Sequence, residues 1–309
     1  MNLENIGFYT LSENRCKNAS VDSDLMRCEL ILTDQCNFKC PYCRGLRDDV
    51  TGTMSLDKAK HIIDLWAKDN LHNIRLSGGE PTIYPGIIEL VKYIKSKGIE
   101  RIAMSTNGYA DLQLYHDLIE AGVNDFSISL DACCGSFGDT MAGGIKGAWN
   151  KVINNIKALS ILTYVTVGVV VTEETISQLR ETIEFASNLG VQDIRIISAA
   201  QWNQLLDNAK DIDTDFYKQH PILNYRINNI KNNRNVRGLN KTDSNKCGLV
   251  LDDIAVAGNY HFPCIIYMRE GGDPIGEIGE NMRQERLNWM KNHNTHCDPI
   301  CNKNCLDVC

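Results

Sequence analysis

Three cysteines, Cys36, Cys40 and Cys43, fall within eight residues, directly after the apolar run Leu30-Ile31-Leu32. Thiolates packed this closely in the loop after a strand are a metal-binding set. Three protein ligands fill three iron sites of a four-iron cluster and leave the fourth open. A relay cluster is normally closed by four cysteines, whereas an open iron admits a chelating small molecule. Zinc is the alternative, although it usually draws four ligands from two C-x2-C pairs.

The rest of the chain supplies a scaffold for such a loop. Its 309 residues are 43% hydrophobic, enough for one large α/β domain and a smaller appendage. Short β-rich runs near 28–33, 73–77, 100–105, 125–130, 164–171 and 193–198 alternate with amphipathic stretches near 55–68, 86–97, 111–121, 147–160 and 175–189. Ser55, with Lys58 and the periodic Ala59, Ile62, Ile63 and Trp66, opens the first helix. Six such units predict an α/β fold, a partial (β/α)6 TIM-like barrel, with chemistry gathered at the C-terminal strand ends. We divide the chain into an N-terminal cap (1–27), the barrel (28–200), an Asn-rich bridge with one or two helices (201–246) and a cysteine-rich extension (247–309). In the extension, Leu249 to Val256 and Tyr260-His261-Phe262 flank Ala257-Gly258-Asn259, a hairpin signal.

A second motif, Ser77-Gly78-Gly79-Glu80-Pro81, closes the second predicted strand. Two glycines let the backbone approach a ligand, and a glutamate beside them can accept from an ammonium group. Read as an ordinary βα turn, the pair would carry no chemistry. The C-x3-C-x2-C spacing with Tyr42 before its last cysteine, followed by this Gly-Gly-Glu motif, resembles the radical S-adenosylmethionine (radical SAM) superfamily over roughly residues 28–198. The resemblance implies a [4Fe–4S] cluster on Cys36, Cys40 and Cys43. It also implies that SAM chelates the open iron through its amine and carboxylate, and that the amine is bound by Gly78, Gly79 and Glu80.

Other polar residues end neighbouring strands and are candidates to contact the same cofactor: Tyr42, Ser105, Asn107, Ser127, Ser129, Asp131 and Arg195. Alternation turns Ser127 and Ser129 to one side, where hydroxyls can meet the ribose or carboxylate of SAM. Helix capping, or for Arg195 a structural ion pair, is the plain alternative. Cys133 and Cys134 follow Asp131, and a free thiol there could donate a hydrogen atom to a substrate radical or simply pack a tight turn. Cys16 and Cys28 read as packing residues.

Cys247, Cys264, Cys297, Cys301, Cys305 and Cys309 are too many for one cluster. A straight helix would spread the last four over ~18 Å, so the tail must bend or serve two centres. A cysteine before a hairpin, one after it and a cysteine-rich tail resemble the SPASM or twitch extensions of radical SAM enzymes. These hold one or two auxiliary [4Fe–4S] clusters, although the x3, x3, x3 spacing here departs from the usual SPASM tail.

The resemblance implies reductive cleavage of SAM to a 5′-deoxyadenosyl radical, hydrogen abstraction from a substrate, and a low-potential electron donor such as flavodoxin or ferredoxin. SPASM-type extensions point first to a ribosomally made peptide as substrate, epimerised or oxidatively cross-linked. Residues 1–27 are too few for a leader-recognition domain, so a small metabolite (sugar, aminocyclitol or nucleoside) is the second expectation. A non-catalytic metal-binding scaffold is the third. A net charge of −7 argues against nucleic acid, and no apolar run is long enough for a bilayer. Thirteen cysteines without an apolar signal segment suit a reducing cytoplasm.

Overall fold

Alternation along each strand decides the architecture. In the computed structural model, which describes residues 3–11 and 13–306, a short helix α1 (Asn14–Asn18) precedes six parallel strands. These are β1 (Arg27–Ile31), β2 (Asn73–Ser77), β3 (Arg101–Thr106), β4 (Asp125–Ser129), β5 (Tyr164–Val171) and β6 (Asp193–Ser198), and each pairs with the next. Between them run α2 (Leu56–Lys68), α3 (Ile87–Ser96), α4 (Leu112–Ala121), α5 (Gly135–Met141), α6 (Ala148–Leu162) and α7 (Leu179–Asn188). Ser55 caps α2 by accepting from the Lys58 N–H.

One parity of each strand is apolar and wholly buried: Leu30, Leu76, Met104, Phe126, Val167 and Ile196 pack against Ile62, Leu90, Leu118 and Ile156 of the helices. The hydrophobic core therefore lies between sheet and helices. The opposite parity carries Arg75, Ser105, Ser127 and Arg195, so the concave inner face is polar.

The sheet does not close into a complete barrel. Its order is β6-β5-β4-β3-β2-β1-β7-β8-β9, with β7 (Asp253–Ala257), β8 (Tyr260–Phe262) and β9 (Gly276–Glu277). The expected partial barrel and hairpin are present, with one boundary moved. Gly248–Leu251 is a 3-10 turn, and the hairpin begins at Asp253. The hairpin also joins the main sheet, because β7 lies parallel to β1 with Arg27 opposite Asp253, and those two side chains form an ion pair.

Below the strands' N-terminal ends, Ile6 and Phe8 pack with Tyr164 and with Ile222 of α8 (Pro221–Lys231), the one α-helix in the described bridge. Gly7 (φ +72°) passes so close that a Cβ would lie 2.2 Å from the Asn73 side-chain nitrogen. The extension adds α9 (Ile265–Arg269), α10 (Met282–Asn292) and α11 (Pro299–Asn304).

Candidate active site and cysteine pocket

The cysteine loop is fastened to the Gly-Gly-Glu turn by backbone alone. Gly79 N–H donates to Thr33 O at 2.7 Å and Glu80 N–H to Gln35 O at 2.8 Å, one residue before Cys36. Both glycines are required: a Cβ on Gly78 (φ +148°) would sit 2.4 Å from Thr33 O, and one on Gly79 2.1 Å from Gln35 O. Arg269 of α9, which sequence reasoning did not single out, clips the same junction by donating to Gly78 O at 3.2 Å and Gly45 O at 3.1 Å. Only its place in the fold reveals it.

Cys36, Cys40 and Cys43 share one half-exposed loop. The Phe38 N–H donates to Cys36 Sγ and the Gly45 N–H to Cys43 Sγ, both at 3.4 Å, as suits a thiolate bound to metal. Burial raises the Cys36 and Cys40 thiols, the latter to about 12, and the neighbouring negative charges add to this. The chain alone thus leaves these thiols protonated, and a bound cationic centre is what would ionise them. Their spacing also bears on which metal fits. Sulfurs around one zinc lie about 3.8 Å apart, from tetrahedral bonds of ~2.3 Å. Among the described residues, the only three candidate ligands within 4.8 Å of one another are His293, Asp298 and Cys301. Cys36, Cys40 and Cys43 do not meet that limit together, as suits a polynuclear cluster, where each sulfur holds a different iron.

Next to the loop, one cavity is lined by Cys40, Tyr42, Asn107, Ser129 and Asp131, with Trp149 on its wall. The Tyr42 hydroxyl donates to Asp131, whose other oxygen accepts from the Val170 N–H at 2.7 Å. Burial raises the Asp131 carboxyl to about 6, against the lowering effect of the Tyr42 hydrogen bond. Asn107 Nδ2 donates to Asn37 Oδ1 at 2.6 Å, tying the end of β3 to the cysteine loop.

Glu80 is engaged by the protein itself. Its carboxylate is 1% exposed and takes four donors: Thr82 N–H at 3.0 Å, the Thr82 and Thr106 hydroxyls at 2.7 Å, and Asn107 N–H at 2.7 Å. Buried behind the turn, the side chain braces β2 against β3. What Gly78 and Gly79 offer a ligand is backbone.

Ser105, Ser127 and Arg195 lie deeper. Arg75 donates to Ser105 Oγ at 3.2 Å and Arg195 to Ser127 Oγ at 3.4 Å. The structure does not bring Cys133 or Cys134 into the cavity beside the cysteine loop. Cys133 Sγ is 3.9 Å from Gln178 Oε1, and Cys134 is exposed at the N-terminus of α5, a helix absent from the sequence reading.

The tail does bend. Asp298 caps α11 by accepting from Ile300 N–H and Cys301 N–H, both at 2.8 Å, and Gly238 N–H and Leu239 N–H stitch to Cys305 O and Asn302 O. Cys301 in α11 and Cys305, just past its C-terminus, thereby join Cys247 and Cys264 around a single apolar pocket walled by Leu249 and Trp289. Burial, then the other thiols, raises Cys247 well above its ordinary value. Four convergent thiols in an apolar pocket fit a closed cluster. Cys297 is exposed and outside this lining, and Cys309 lies outside the described residues. Cys16 is buried against the Cys247–Gly248 turn, and Cys28 is buried in β1.

Comparison with known proteins agrees with this layout. The family model described as "Radical SAM superfamily" matches residues 30–186, half of the chain. A probable GTP 3',8-cyclase of Saccharolobus solfataricus is 30% identical over 171 residues, covering 54% of this chain and 55% of that protein. An AdoMet-dependent heme synthase of Methanosarcina barkeri is 30% identical over 163 residues, covering 52% and 46%. The chain thus spans about half the length of these relatives. Among solved structures, anSMEcpe with bound AdoMet superposes with a TM-score of 0.63 at 15% identity, covering 88% of this chain and 81% of that one. Streptococcus suis SuiB bound to the precursor peptide SuiA gives 0.59 at 14% identity, covering 90% and 66%. At such identities the likeness is one of fold. Among the described residues, no helix is long and apolar enough to cross a membrane.

Proposed function

Because the chain belongs to the radical SAM superfamily, we propose that it splits SAM reductively at the Cys36/Cys40/Cys43 loop and modifies a substrate held in its polar barrel. Bound there, a [4Fe–4S] cluster and SAM supply a 5′-deoxyadenosyl radical that abstracts a substrate hydrogen. The chain's own contribution is position. Gly78 and Gly79 lock the cysteine loop over the strand ends, Tyr42 and Asp131 join that loop to β4, and Asn107 and Ser129 offer polar atoms to a ligand in the cavity. The single observation that carries the reading is this backbone clamp, which holds the three-thiol loop beside a cavity at the barrel mouth.

Cys247, Cys264, Cys301 and Cys305 would hold one auxiliary [4Fe–4S] cluster in a twitch-like extension. A substrate electron accepted in that pocket gives net oxidation, whereas a hydrogen atom returned by Cys133 or Cys134 gives epimerisation. The first substrate class is a ribosomally made peptide, supported by the cysteine-lined pocket beside the barrel and by likeness of fold to SuiB, whose structure holds a precursor peptide. A small metabolite is the second, favoured by the sequence relative named as a GTP 3',8-cyclase. A flavodoxin- or ferredoxin-like protein would deliver the electron.

The test is anaerobic reconstitution with iron and sulfide, addition of SAM and reduction with dithionite. The reading expects 5′-deoxyadenosine from the wild type and none from Cys40→Ala. Tight zinc binding with no SAM cleavage would favour a metal-binding scaffold. Solvent deuterium in the product that disappears in the Cys133→Ala or Cys134→Ala protein would mark a thiol donor.

A further inference from the structure

Charges on the inner face of the sheet fall into two groups that are balanced differently. At the floor, cations and carboxylates are matched: Arg101 pairs with Asp125 at 2.8 Å, and Arg27 with Asp253. Arg75, in the row of Glu29 and Asp125, and Arg195, in the row of Ser129, face the interior with only the Ser105 and Ser127 hydroxyls as partners among the described residues. Among the described residues neither arginine forms an ion pair, and Arg195 Nε is buried with no hydrogen-bond partner. Glu29, opposite Arg75 in the β1–β2 register, is the carboxylate whose field reaches Arg195, and it lies beyond ion-pairing distance. Arg226 adds a further positive field. Hydroxyl dipoles do not neutralise a sheltered guanidinium, and a cation taken out of water without a counter-charge costs several kcal/mol.

We propose that Arg75 and Arg195, with Ser105 and Ser127, form an oxyanion subsite for a carboxylate or phosphate carried by the substrate. This deepens the function proposed above and rests on it. Its place outside the cavity beside the cysteine loop separates it from the SAM carboxylate. In the superfamily that carboxylate chelates iron at the cysteine loop, whereas none of Arg75, Arg195, Ser105 and Ser127 lines the cavity next to that loop. Two guanidinium forks and two hydroxyls, hydrogen-bonded in two pairs on the inner face, match the several lone pairs of a carboxylate or phosphate group. The substrate class is therefore anionic: a phosphorylated or carboxylated metabolite, or a peptide presenting an acidic group to the barrel.

The experiment titrates pyrophosphate and, separately, succinate into the reconstituted, SAM-loaded holoenzyme by calorimetry, and measures SAM affinity by equilibrium dialysis. Wild type, Arg75→Gln, Arg195→Gln and Arg195→Lys are compared at equal iron content. The expected result is binding of at least one probe, weakened about tenfold or more by either Gln variant and less by Arg195→Lys, which keeps the charge but loses the fork. The probe bound more tightly names the oxyanion. Should Arg195→Gln fail to fold, Arg75→Gln and Arg195→Lys carry the comparison. No binding of either probe, or binding indifferent to the substitutions, would overturn the proposal. A parallel loss of SAM affinity would also overturn it, by assigning the arginines to the SAM carboxylate. A wild-type holoenzyme that fails to cleave SAM on reduction contradicts the underlying reading separately, whatever the titrations give.

Discussion

Glu80 Oε2 accepts the backbone N–H of Asn107 at 2.7 Å, so the Gly-Gly-Glu turn after β2 and the polar end of β3 are one hydrogen-bonded unit. The carboxylate is buried and takes three more donors. Removing it strands those donors, at about 1–3 kcal/mol each before relaxation. Glu80→Ala should lower unfolding free energy by about 3 kcal/mol or more in a urea titration. Glu80→Gln should lower it less and leave SAM affinity within about twofold. A Gln variant of wild-type stability that binds SAM ten times more weakly would instead put the carboxylate on the ligand's ammonium group.

Gly79→Ala places a methyl 2.1 Å from Gln35 O, on rigid backbone that cannot yield as a side chain would. The Gly79–Thr33 and Glu80–Gln35 hydrogen bonds must then break, and the cysteine loop loses its register over the strand ends. We expect a loss of about 2–3 kcal/mol, in the range of overpacked sites, and iron loading at that loop reduced severalfold. Iron and sulfide assays of the reconstituted protein check this.

The two metal centres should titrate separately by mutation. Cys247→Ser, Cys264→Ser, Cys301→Ser or Cys305→Ser should each cost the iron of one cluster, about four atoms per chain, while the Cys36/Cys40/Cys43 cluster remains. Cys297→Ser, outside the pocket, should retain full iron. Loss of iron in the Cys297 variant would mean that the tail rearranges on loading.

Asp193 is fully buried and accepts from the Ile194, Ile222 and Leu223 N–H groups, holding the N-terminus of α8 against β6. Burial outweighs those hydrogen bonds and raises its carboxyl to about 7 from the ordinary 3.8. The native chain therefore keeps a proton that the unfolded chain releases. This group's contribution to stability is present in full below about pH 4 and declines as pH rises toward 7. Asp193→Asn should flatten that part of the Tm-versus-pH curve between pH 4 and 7, while lowering Tm throughout because the amide NH2 cannot accept where one of the two carboxyl oxygens did. A variant with an unchanged slope would show that Asp193 is ionised across the range.

Much of this molecule is legible without coordinates, for reasons that particular residues make plain. Leu30, Leu76, Phe126 and Val167 sit at strand positions whose period of two sends them toward the helices, and local alternation suffices to predict the six-stranded unit. Cys36, Cys40 and Cys43 are close in sequence, so their convergence needs only a loop, and the Gly-Gly pair announces a close backbone approach. Other relationships join residues far apart along the chain, and those depended on the fold. Cys247, Cys264, Cys301 and Cys305 span 58 positions and meet only because α11 bends the tail onto the 238–239 segment, whereas evenly spaced Cys297 stays outside. The same holds for Arg269 on the Gly78 carbonyl, and for the hairpin that joins the barrel sheet through Arg27 and Asp253. Whether Glu80 faced a ligand or a wall, and whether Arg75 and Arg195 met carboxylates or only hydroxyls, turned on side-chain environments that no spacing encodes. Local periodicity fixes which way a residue points along its own strand. What waits there is set by strands and loops distant in sequence, and only the packed structure brings them together.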